Sequence, residues 1–283
     1  DRLYQGAGRY YDGWRAELPM MAVASRIKAA PGAAALGSLS NRDMVDLYAQ
    51  AFDDADIEDA IRTRADLLQN AYVADSDGGK VSAMASLWDG AKAGSDYQGM
   101  LILTARAAAL IAPNETHEGQ ADRLIASMFS AGFDRSAARW ASIVPEGSLG
   151  WGLLAVGAPR GQNVAYGALD DFAGNDYSEA YHKSALLLAG LAGLGRVDAE
   201  AIADFSDDVD ANVRKETRWS RAIQAAARRG ESGTVAVLAA AGMQTSDWTK
   251  MPAHHLYHIV RALREVGMDA EARMIAAEAV TFG

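Results

Sequence analysis

The densest group of chemistry-capable side chains is His254-His255-Leu256-Tyr257-His258. His254 and His258 stand four residues apart and would share one face of a helix, the spacing at which two imidazoles can hold a metal. A zincin requires glutamate in the second position, where this chain has His255, so that hydrolytic chemistry fails. On a helical wheel, Leu256, Ile259, Val260 and Leu263 define the buried face, which leaves His254 and His258 on the solvated side near Arg261 and Glu265. They are the pair to inspect for a metal, and none is expected there.

A second group is basic. If residues 208–229 form one helix, Arg214, Arg218, Arg221 and Arg228 fall in a narrow stripe with Lys215 and Arg229 beside it, opposite Val209, Trp219, Ile223 and Ala226. Acids at the start (Asp207, Asp208, Asp210) and arginines at the end would offset the helix dipole. The stripe has two readings, a solvated face or a surface for an acidic partner. As a partner-binding site it comprises Arg214, Lys215, Arg218, Arg221 and Arg228.

Other motifs stop short of a reaction. Asp208-Val209-Asp210-Ala211-Asn212 alternates oxygen ligands like a calcium loop, yet Val213 occupies the glycine position and Trp219 the position of the closing glutamate. Ser25-Arg26-Ile27-Lys28 has a Ser-x-x-Lys spacing without the companion motifs of penicillin-recognising enzymes, and Gly147-Ser148-Leu149-Gly150 lacks the glycine of a nucleophile elbow. No catalytic residue is assigned, and no cofactor is expected. The tryptophans could line a carbohydrate or peptide groove, although aromatics at helix ends more often plug seams between helices.

Composition narrows the field. The formal net charge is −10, shared evenly between the halves of the chain, so no basic domain or arm exists and nucleic acid is not an expected partner. The absence of cysteine removes disulfides, thiolate metal sites and a cysteine nucleophile. The longest uninterrupted apolar run, Ala185 to Gly195, is far shorter than the ~20 residues of a membrane helix, and no transmembrane segment is expected. The start at Asp1, without an initiator Met, suggests a processed protein or a piece of a longer one, which tilts the compartment toward a bacterial periplasm or cell envelope.

The elements that would position these groups are helical throughout. No run of alternating strand pattern appears, Pro31-Gly32 is expected to break a helix, and Tyr97 to Ile111 is apolar almost all round, as in a helix buried between neighbours. The stretch 145–161, rich in glycine and proline, is the least helical, a linker or an irregular repeat, and the place for a domain boundary if the chain has one. Gly132, Gly161, Gly195, Gly230 and Gly267 mark hairpin corners 29 to 37 residues apart. Corner acids such as Asp134, Asp198 and Asp269 would cap the following helices.

Gly132-Phe133-Asp134-Arg135-Ser136-Ala137 and Gly267-Met268-Asp269-Ala270-Glu271-Ala272 resemble the middle of a tetratricopeptide-type hairpin, in which glycine ends one helix and an alanine five residues on lets the next pack close. The resemblance implies a protein-binding scaffold. The expectation is an all-α fold: a right-handed superhelix of stacked antiparallel helical hairpins with about 14 helices, read as a single α-solenoid over 1–283. The leading function is a non-enzymatic scaffold or adaptor that binds a protein or peptide within a larger assembly. The alternative is an α/α-toroid enzyme acting on a polysaccharide through carboxylate acid/base chemistry.

Overall fold

The computed structural model describes residues 2–244 and 247–283. Within them the fold is all-α, with no strand; one isolated parallel bridge joins Val164 and Val197. No helix among the described residues is long and apolar enough to cross a membrane. The chain divides into two compact units, Asp1–Phe133 and Asp134–Gly283.

The first unit holds α1 (Arg2–Glu17), α2 (Val23–Ala35), α3 (Asn41–Ala49), α4 (Asp59–Val73), α5 (Asp77–Asp89), α6 (Ser95–Leu110) and α7 (Glu118–Ser130). Successive pairs α1/α2, α4/α5 and α6/α7 pack as hairpins, and α6 also meets α2, α3 and α5. That central position explains its unbroken apolar character, since every face from Gly99 to Ala105 is buried. Pro31 does not end α2, contrary to expectation. The proline is buried where α6 crosses, and Gly99 allows the approach: a Cβ there would sit 2.5 Å from Pro31. Tertiary packing outweighs the hydrogen bond that proline cannot donate.

The second unit holds α8 (Asp134–Ala137), α9 (Leu149–Gly157), α10 (Tyr166–Gly174), α11 (His182–Leu194), α12 (Ala199–Asp208), α13 (Arg218–Arg228), α14 (Ser232–Gly242), α15 (Ala253–Glu265) and α16 (Asp269–Phe282). The stretch 145–161 thus carries a helix, α9, capped by Ser148 accepting from the Trp151 amide. Here α13/α14 and α15/α16 pack as hairpins, the neighbour-on-neighbour packing that a superhelical repeat uses. The apolar α11 also lies against α15 and α16, and α9 against α16.

The glycine corners close as read at Gly132, Gly195, Gly230 and Gly267, all left-handed, with φ between 67° and 85°. In each, the residue after the glycine donates its amide back across the turn, as Phe133 does to Met128 O and Met268 to Leu263 O, both at 2.9 Å. Gly161 is different. It lies in the loop after α9, and a Cβ on it would fall 2.1 Å from Arg196 Nε, so glycine is needed for close approach. The acid caps hold only in part. Asp198 accepts from the Ala201 amide as a cap, whereas Asp269 makes no cap bond and instead accepts from Arg273.

Candidate functional site

The basic stripe is built differently from the single helix expected over 208–229. Asp210, left-handed at φ 47°, closes α12: the Ala211 amide donates to Ser206 O at 2.9 Å and the Asp210 amide to Asp207 O at 3.4 Å. A loop follows, and Thr217 restarts the chain as α13 through a reciprocal box with Ser220, at 3.0 Å and 2.7 Å. The acids Asp207, Asp208 and Asp210 therefore stand at the end of α12 and cannot offset the dipole at the start of α13. Asp208 accepts from Tyr166 Oη at 2.7 Å, which pushes that phenol up to about 12.

Arg218, Arg221 and Arg228 share the exposed face of α13, at the i, i+3 and i+10 positions of one helical stripe. Ser220, Ile223, Gln224, Ala226 and Ala227 form the buried face, against α14 and α15. Arg214 and Lys215 belong to the preceding loop and are also exposed. Among the described residues Arg214, Arg218 and Arg228 have no carboxylate within ion-pair reach. Arg221 has only a loose contact to Glu216 at 3.9 Å, while Arg229 is paired with Glu231. In a chain of net charge −10, such unneutralised cations on one face mark a surface able to take an anionic partner.

The loop that carries Arg214 and Lys215 is fastened to α15. His258 is buried, 4 % exposed, and its Nε2 lies 3.1 Å from Lys215 O; a carbonyl only accepts, so Nε2 carries the proton and donates. Gln224 Nε2 donates in turn to His258 O at 3.0 Å. The solvated placement expected for His258 is therefore wrong, because its ring is the tie between the loop and the helix pair. The bond occupies Nε2, while Nδ1 of the same ring is buried without a hydrogen-bond partner. His254 is half-buried, and its neighbour His255 packs against Trp219 with ring centroids 4.7 Å apart and the rings tilted by 44°. Burial, reinforced by the charges of His255, Lys215 and His258, pushes His254 down to about 4. No group of three metal-ligating side chains occurs among the described residues.

Between the end of α12 and this loop lies a groove of about 680 Å³. Ile202, Ala211 and Val213 line it with apolar surface, Asp207 and Asp210 with carboxylates, and Arg214 with a guanidinium. Sequence reasoning missed it because it forms only when Asp210 ends the helix. Trp219 plugs a seam, its Nε1 donating to Leu238 O at 3.1 Å and its ring lying where a Cβ on Gly242 would come within 2.4 Å. Trp88 and Trp140 are core residues.

A loop fastened to α15, a helix with an open arginine face and a groove lined by both carboxylates and a guanidinium offer complementary surface to charged groups. Comparison of the chain with protein-family models, with curated proteins and with solved structures gives no match.

Proposed function

We propose that the protein is a helical-hairpin scaffold that binds an acidic segment of a protein partner along Arg214, Lys215, Arg218, Arg221 and Arg228. The observation that carries this reading is the lack, among the described residues, of any close carboxylate for Arg214, Arg218 and Arg228 on a face that is exposed from the loop through α13. The hairpin corner at Gly267, between α15 and α16 and similar to those of tetratricopeptide-type repeats, supports a scaffold role, as does the like-shaped glycine turn at Gly132. A peptide fits better than nucleic acid, because the net charge of −10 comes with no basic domain or arm of the kind a phosphate backbone requires.

Carbodiimide cross-linking tests the reading, since it joins an amine directly to a touching carboxylate. Added to native extract, the protein is expected to link Lys215 to an aspartate or glutamate of a partner, and the R218A/R221A/R228A variant to lose that link. Links that persist in the variant would contradict the assignment.

A further inference from the structure

The groove at the end of α12 deepens this reading, on which it rests, by specifying what kind of acidic segment the stripe receives. Asp207 and Asp210 are exposed in the groove wall and, among the described residues, neither has a cation within ion-pair reach. Arg214 faces the same space and is likewise open. Asp208, which sequence alone would group with these acids, is bonded to Tyr166 and does not line the groove. Carboxylates and a guanidinium thus share the groove, and the other guanidiniums of the stripe follow along the chain on α13.

We infer that the partner segment is bipolar, with a lysine or arginine entering the groove between Asp207 and Asp210 and an acidic run lying along Arg214, Arg218, Arg221 and Arg228. Ile202 and Ala211, apolar residues in the groove floor, suit the methylene stem of such a side chain, whose charged head then meets the carboxylates. The length also fits. From Arg218 to Arg228 the helix rises ~15 Å, which an extended chain covers in about five residues. The loop needs no rearrangement to receive it, since His258 and Gln224 already hold its backbone and the backbone of α15.

Two labelled peptides of equal length discriminate. One carries two lysines, two glycines and five glutamates; the other has serines in place of the lysines. Each is made in both orientations and titrated into the full chain at low salt by fluorescence anisotropy. Attraction to the stripe alone favours the serine peptide, which is the more acidic. The bipolar groove predicts the reverse: a lysine peptide bound about fivefold more tightly in one orientation. Asp207→Asn with Asp210→Asn, in which asparagine retains tolerance of the left-handed turn, is expected to abolish that preference while the serine peptide still binds. A serine peptide bound as tightly as the lysine peptide overturns the groove inference and leaves the stripe standing. A preference that survives in the double variant also overturns it. Failure of both peptides to bind overturns groove and stripe together.

Discussion

The Nη1 of Arg273, on α16, lies 2.9 Å from Asp134 Oδ2, at the first residue of α8 and 139 positions away in the chain. The same guanidinium, 5 % exposed, donates through Nε to Asp269 at 2.8 Å and through Nη1 to Gly157 O at 2.6 Å. Arg196 completes the arrangement, donating to the carbonyls of Ala155, Val156 and Ala158 at 2.7 to 2.9 Å. Two buried arginines therefore satisfy the orphan carbonyls at the end of α9 and meet the negative end of its dipole. Two of the acids read as helix caps serve instead as counterions.

Arg273→Met is expected to lower stability by about 3 kcal/mol, since it leaves Asp134 and a helix-terminal carbonyl without their donor. Asp269→Asn should cost less than ~1 kcal/mol, because that carboxylate is 54% exposed. Urea denaturation of both variants checks the order; equal costs would contradict it.

Gly161→Ala is expected to cost about 2 kcal/mol by forcing a methyl into the space of the Arg196 guanidinium. Its effect should largely vanish in an Arg196→Ala background, so the double-variant cost falls short of the sum. Gly267→Ala supplies the contrast: its Cβ meets open space, and only the left-handed backbone, at ~1–2 kcal/mol, opposes it in either background.

Stability should fall between pH 6.5 and 4. His254 titrates near 4 in the folded chain against 6.5 unfolded, so on acidification the unfolded state takes up a proton that the folded state refuses. The contribution is fully present above 6.5 and gone by about 4. His255 and His258, both lowered chiefly by burial, act in the same direction. His254→Asn is expected to flatten part of this slope, as thermal melts across the window would register, while an imidazole that titrates at 6.5 by NMR would contradict the placement.

The two faces of α13 should separate cleanly by substitution. Arg218→Ala and Arg228→Ala are expected to leave stability within ~0.5 kcal/mol of the wild type, since each side chain stands in solvent. Trp219→Ala should cost about 3 kcal/mol, because the ring fills the seam beside Gly242 and His255. Denaturant midpoints check both.

The parts of the fold legible in the sequence are those set by local pattern. The apolar girth of α6 and the left-handed glycines at Gly132 and Gly267 encode a buried rod and a turn without reference to anything distant. What escaped reading depends on partners far away in the chain. Gly161 looked like another corner because its reason, Arg196, is brought close only by folding. Pro31 looked like a stop because the crossing by α6 was invisible. The stripe kept its residues but lost its single helix, since Asp210 took a conformation usually left to glycine and a Thr217–Ser220 box replaced the commoner glutamate form. His258, placed in solvent by wheel geometry, was drawn inward by the carbonyl of Lys215.

The central claim, an acidic segment bound on α13, is tested most directly by isothermal titration of a five-glutamate peptide into the full chain over a range of salt concentrations. The account predicts affinity that falls steadily as salt rises, and R218A/R221A/R228A folded as the wild type yet without measurable binding. Binding retained by that variant, or no binding by the wild type at low salt, would contradict it.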